Sequence, residues 1–293
     1  MNKKLILTSL CAVSLSWSGW YTSEEHAQEA RTRAHVHPHA AASLHISGLR
    51  QGSGVLIRDD MVVTAAHVVA PYDDTSSESW GPFKKYDGKF SLRDSSGNCL
   101  PPIKDIYYAR EPDIAFMQLS ESVSHKPAPI MSKPMYDEIA KSFNPLTGSN
   151  APRFAGHFKG GLDADYLGYG QMAVHTGSVA FAGNSGGYQV GHKEIGTPQC
   201  ARLQLSQYFP ESNFYSWMSV DKVGPCATGL PGDSGSGTFT KDENAWLMGI
   251  VANIQTSSVC FSGRGVATQV IPIHQTVPGA DDTYFETFLR IKK

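Results

Sequence analysis

Short apolar runs, broken by glycine, proline and acidic residues, recur from Ala42 to the C-terminus. AASLHISGL and then GSGVLIRDDMVVTAAHVV read as two or three strands joined by tight turns, with Asp59-Asp60 as one breaker. IKDIYYAR (103–110) and DIAFMQL (113–119) read as strands flanking Glu111-Pro112. LGYGQMAVHTGSVAFAG (167–183), ARLQLSQYF (201–209), SWMSV (216–220), WLMGIVANI (246–254) and GVATQVIPI (265–273) continue the series. TYFETFLRI (283–291) reads instead as a short amphipathic C-terminal helix. Many short strands with frequent turn residues predict an all-β fold.

Between these runs the chain is polar. Residues 19–41 carry charge without periodicity and read as a pro-segment or flexible arm. Within them His35, His37 and His39 alternate, so an extended segment would place them on one face, as metal binding requires. No fourth ligand is evident, and a solvated histidine-rich linker is the preferred reading, so no metal and no organic cofactor is assigned. Residues 71–98 read as surface loops around a short strand, and 133–165 as an irregular, Gly-rich surface excursion. No internal repeat is visible.

The chain has 293 residues, enough for one large domain or two small ones. Its net charge is 25 − 27 = −2, which gives no electrostatic case for nucleic acid. Residues 1–18 have the form of a secretory signal: Lys3 and Lys4 precede the apolar run Leu5–Trp17, which is too short to span a bilayer comfortably. No other run is long enough for a membrane span, and a secreted or periplasmic protein is expected. Cys99, Cys200, Cys226 and Cys260 remain after the signal, an even number that allows up to two disulfides, in three possible connectivities, or four free thiols.

Candidate chemistry centres on Thr228–Phe239, TGLPGDSGSGTF. Gly232 and Gly235 bracket Asp233-Ser234, giving a tight turn that exposes a serine oxygen beside bare backbone N–H groups. His67 ends the run MVVTAAH between small residues, and Asp113 opens the run IAFMQL. Each alone is an ordinary residue. Together, in the order His67, Asp113, Ser234, they fit nucleophilic acyl transfer. Ser234 would attack, His67 would move the proton, and Asp113 would fix the histidine tautomer. The N–H groups of Gly232 and Ser234 would hold the oxyanion.

The segments TAAH, DIAF and GDSGS resemble the signature segments of the chymotrypsin/trypsin-like serine proteases. GSGVLI, LGYG (167–170), GIV (249–251) and GRGVATQV (263–270) extend the resemblance, which runs over residues 42–293 as one protease domain. It implies two six-stranded antiparallel β-barrels, with His67 and Asp113 on the first and Ser234 on the second. The interval from Asp113 to Ser234 is 121 residues (234 − 113), long for such a protein, and fits an insertion within 133–200. The resemblance also puts Thr228 at the base of the specificity pocket and Gly265 on its wall. It puts Ala252, Asn253 and Ile254 on an edge that pairs with substrate, and implies a Cys226–Cys260 disulfide. Thr228 is neutral, so a small or medium uncharged side chain is the expected preference.

Two features depart from the family. No Ile-Val-Gly-Gly-like mature start is present to pair with Asp233, which leaves zymogen activation by that route without its usual signature. A second serine motif, Gly183-Asn184-Ser185-Gly186-Gly187, resembles the serine loop of periplasmic quality-control proteases, but polar, charged VGHKEIGTPQ follows it. Ser234 is therefore the expected nucleophile. The sequence predicts a secreted, monomeric serine endopeptidase acting on proteins or peptides. The rival readings are a protease-like binding protein without turnover and an exported esterase using the same three residues.

Overall fold

The computed structural model describes residues 20–21, 24–71, 79–142, 162–170, 173–175, 188–189, 196–208, 214–219, 232–257 and 265–292. Strand β1 (Trp20–Tyr21) and helix α1 (Glu24–Val36) come first. Eight strands then form one antiparallel sheet: β2 (Ser43–Ser47), β3 (Gly52–Arg58), β4 (Met61–Ala65), β5 (Ser79–Trp80), β6 (Phe83–Tyr86), β7 (Ser91–Arg93), β8 (Ile103–Ala109) and β9 (Ile114–Leu119). Their order is β5-β6-β8-β9-β4-β3-β2-β7, so two short strands lie at the edges of six central ones. A single turn of helix, α2 (Ala66–Val69), continues β4.

Helix α3 (Lys133–Ser142) leads to the second half of the chain. There β10 (Leu162–Gly168), β11 (Ala173–His175), β12 (Tyr188–Gln189), β13 (Gln199–Tyr208), β14 (Phe214–Ser219), β15 (Gly237–Thr240), β16 (Leu247–Ser257) and β17 (Gly265–Pro272) follow in turn. Six of them close a barrel in the order β10-β13-β14-β17-β16-β15, since β10 pairs with both β13 and β15. β11 pairs with β1 and β12 in a separate small sheet. Helix α4 (Tyr284–Ile291) ends the described chain.

The all-β expectation, with a C-terminal helix, is met. α4 is fixed by a capping box, in which the Thr283 hydroxyl accepts the Glu286 N–H while the Glu286 carboxylate accepts the Thr283 N–H. Its Phe288 stacks on Phe116 of β9 at 4.5 Å and meets Phe83 edge-on, so the helix closes the core of the first sheet.

Three segments differ from the sequence expectation. The polar stretch 19–41 contains α1, whose buried stripe is Ala27, Ala30 and Ala34. Alanines at i, i+3 and i+7 form a helical face too weakly apolar to stand out among charges. α3 occupies residues read as irregular; Tyr136 is buried on it, and Lys133 pairs with Asp137 one turn later. β10 begins at Leu162, ahead of the expected start at 167. Asp163 and Asp165 alternate with inward Ala164 and Tyr166, and they meet Arg202 and Arg33. Acids thus hid a regular strand period.

Candidate active site

His67 is placed just after a strand that is buried along its whole length. All five residues of β4 are buried, and Ala66, Val68 and Val69 around the histidine are buried too. Asp113 stands just before β9, at the end of the turn 110–113. It adopts a positive φ of 77°, a left-handed conformation that Asp tolerates better than most side chains. Its carbonyl accepts the Ala66 N–H at 3.1 Å, which ties the turn to the residue before His67. From the other side, the Tyr284 hydroxyl of α4 donates to the Glu111 carbonyl at 2.7 Å. The C-terminal helix therefore holds the loop that carries Asp113.

Ser234 lies in a turn between two glycines with positive φ, 100° at Gly232 and 87° at Gly235. At Gly235 a Cβ would stand 1.9 Å from the Ser53 carbonyl oxygen, so only glycine fits there. The turn is bonded to both halves of the molecule. Ser53 of β3 donates its N–H to the Ser234 carbonyl at 2.8 Å, and Gly235 donates to the Val251 carbonyl at 2.6 Å. The Ser53 hydroxyl takes the Tyr169 N–H at 2.9 Å, and the Thr64 hydroxyl donates to the Ser53 carbonyl at 2.7 Å. The Tyr169 hydroxyl in turn donates to the Ser43 carbonyl at 2.8 Å, and burial pushes its pKa up so that it stays a donor.

Beneath the turn, Asp233 has no exposed surface. One carboxylate oxygen accepts the Gln199 side-chain amide at 3.0 Å and the Gly170 N–H at 3.2 Å; the other faces the Tyr166 hydroxyl at 3.5 Å. A buried carboxylate needs such donors to offset lost hydration. These come from β10, the residues just after it, and β13.

The structure brings His67, Asp113 and Ser234 into one hydrogen-bonded line. His67 Nδ1 is 2.7 Å from Asp113 Oδ2, and His67 Nε2 is 2.8 Å from Ser234 Oγ. Asp113 Oδ1 also accepts the His67 backbone N–H at 2.8 Å. Both carboxylate oxygens are thus used on one residue, and an acceptor-only partner assigns the proton to Nδ1. The Nε2 lone pair then faces the serine hydroxyl. Ser234 Oγ also lies 3.4 Å from the Ala252 carbonyl. Among the described residues, no backbone carbonyl takes the N–H of Gly232 or of Ser234.

Ala252 occupies a β-bulge, because Val251 pairs with Val270 and Asn253 with Gln269. Asn253 and Ile254 continue along β16, and Gly265 opens β17 opposite Ser257. β15 pairs with β16 only as far as Ile250. Val251 still exchanges backbone bonds with Gly235 and Ser236, and beyond it the edge of β16 that passes Ser234 has no partner among the described strands. Thr228, Ser185 and the Cys226–Cys260 pair lie outside the described residues. Cys99 and Cys200 are free, the first exposed and the second buried.

Ser53, Thr64, Gly170 and Gln199 support the site but were not singled out as site residues from the sequence. Ser53 and Gly170 sit in GSGV and LGYG, which carried part of the resemblance, so a signal existed for them. Gln199 sits in TPQCAR, where nothing marks it.

No protein-family profile and no curated protein matches the chain. Solved structures do. One is an HL collagenase, 16% identical, with a TM-score of 0.44 over 79% of this chain and 89% of that one. Another is the scabies mite inactivated protease paralogue S-I1, 16% identical, with a TM-score of 0.46 over 80% of this chain and 90% of that one. In its own strands the chain has an antiparallel sheet carrying His67, a closed antiparallel barrel beside Ser234, and a C-terminal helix.

Proposed function

We propose that this chain is a serine endopeptidase, exported from the cytoplasm, that cleaves protein or peptide substrates through an acyl-enzyme. The observation that carries this reading is the continuous line Asp113–His67–Ser234, with both ring nitrogens engaged at 2.7 and 2.8 Å. Ser234 Oγ attacks the scissile carbonyl while its proton passes to His67 Nε2. Asp113 stabilises the imidazolium that forms. The Gly232 and Ser234 N–H groups receive the oxyanion. His67 then gives the proton to the leaving amine, and water repeats the sequence to release the acid.

An extended substrate would add as a strand along Ala252, Asn253 and Ile254, where β16 lacks a described partner. Strand addition reads the peptide backbone, which favours an endopeptidase over an esterase. Thr228 and Gly265 would line a pocket for a small or medium uncharged side chain. Asp233 already receives internal donors from Gln199 and Gly170, so the turn has support without an inserted N-terminus.

Labelling with a fluorophosphonate probe tests the reading. Wild type and Ser185→Ala should take the label and digest casein, and Ser234→Ala should do neither. Loss of label only in Ser185→Ala would move the nucleophile. Absence of label in wild type, before and after limited proteolysis, would favour a binding protein without turnover.

A further inference from the structure

A second cluster of reactive side chains joins the N-terminal segment to the barrel, apart from the triad. His37 follows α1 directly, Asp165 lies on β10 and Cys200 on β13. Asp165 pairs in register with Arg202, so Cys200, two residues away, is its diagonal neighbour on the same face. His37 is brought onto this face by packing against the Phe239 ring at 5.0 Å. One ligand atom from each of the three residues lies within 4.8 Å of the others.

From this arrangement we propose that His37, Asp165 and Cys200 form a binding site for Zn2+ that clasps the segment after α1 to the barrel. Imidazole, carboxylate and thiolate are the ligand set of this borderline-soft cation. Tetrahedral Zn2+ with these ligands needs contacts of roughly 3.3–3.7 Å between donor atoms. Shifts of about 1 Å or less in side chains would reach that spacing, and a water would fill the fourth position.

The metal-free cluster carries marks of an unfilled role. His37 Nε2 is buried with no hydrogen-bond partner, while Nδ1 accepts the His39 N–H at 3.1 Å. Burial lowers the His37 pKa to about 4, so the ring is neutral and able to ligate at neutral pH. Burial raises the Cys200 thiol to about 12, so it holds its proton until a metal displaces that proton to solvent. The Arg33 guanidinium bonds Asp165 Oδ1 at 2.6 Å and also the Cys200 side chain; it orients the carboxylate, leaves its second oxygen for the cation, and gives up the Cys200 contact when the metal binds. Once Cys200 is ionised, the cluster holds two negative charges, and Arg33 balances only one of them. Ligation through Nε2 shifts the ring proton to Nδ1 and gives up the bond from His39, a small loss against three metal–ligand bonds.

This inference is independent of the protease reading, and its test does not use activity. The reduced full-length chain is titrated with Co2+ as a spectroscopic stand-in for Zn2+, followed by Zn2+ competition and metal analysis. The expected result is one tetrahedral Co2+ per chain, with a thiolate charge-transfer band that Zn2+ abolishes. Cys200→Ser should remove the band. His37→Ala should weaken binding at least about tenfold, in line with losses seen on weakening a metal's ligand set. His35→Ala, at an exposed position on α1, should leave binding unchanged. Circular dichroism verifies that each variant is folded. No stoichiometric Co2+, a band that survives Cys200→Ser, or unchanged affinity in folded His37→Ala overturns the proposal.

Discussion

The two halves of the site are held in place by different chemistry. On the His67–Asp113 side the support is mostly apolar: β4 is buried throughout, and Phe116 of β9 stacks on Phe288 of the C-terminal helix. On the Ser234 side the support is mostly polar and buried. Asp233 and Gln199 have no exposed surface, and the turn is tied down by backbone and amide donors. An apolar support tolerates small losses by repacking. A buried polar support loses the full desolvation cost of whichever partner is left unpaired. The serine side should therefore be the more brittle of the two to removal of a supporting residue.

The largest expected effect is at the line itself. Asp113→Asn keeps the shape but permits the wrong histidine tautomer, and should lower turnover by on the order of 10⁴. Steady-state kinetics on a peptide substrate measures this; a loss under tenfold would show that Asp113 does not set the tautomer.

Next comes the polar side. Gln199→Leu strips a donor from buried Asp233 and should cost about 1–3 kcal/mol in stability. It should also slow fluorophosphonate labelling, because the turn carrying Ser234 loses its support. Denaturant unfolding alongside the labelling rate checks both, and unchanged values in each would remove Asp233 from the account of the turn.

A smaller effect is expected on the apolar side. Tyr284→Phe removes only the hydroxyl that bonds the Glu111 carbonyl, and should cost about 1 kcal/mol. Labelling should slow only a few-fold, since the Phe and Tyr rings around α4 still pack. If Tyr284→Phe proves more damaging than Gln199→Leu, the contrast between the two sides is wrong.

The smallest effect concerns acid. Burial lowers the pKa of His274, whose Nε2 faces the Met131 carbonyl at 2.5 Å. The unfolded chain takes up that proton at the ordinary histidine value while the folded chain resists it. Stability is thus present above that value and falls as pH drops below it. His274→Gln should flatten this part of the stability profile, read by thermal unfolding across pH.

Much of this was legible in the chain itself, and for definable reasons. The strand runs around MVVTAAH and DIAFMQL were readable because their side chains are buried in long apolar series. The C-terminal helix was readable from its amphipathic period. α1 and β10 were not readable, because their inward faces use alanine and tyrosine among charges. Gln199 and the cluster of His37, Asp165 and Cys200 were not readable either. Their neighbours lie far away in sequence, and only barrel closure makes them adjacent.

The sequence by itself determined which residues could do chemistry and that the regular structure would be chiefly strand, because nucleophile turns and strand periods are local properties. Tertiary structure decided what those residues face. Hydrogen-bond distances across 46 and 167 positions of chain, between His67 and its two partners, depend on how two separate sheets meet. The same closure decided that Asp233 rests on Gln199 and that the segment after α1 lies over the barrel beside a free buried thiol.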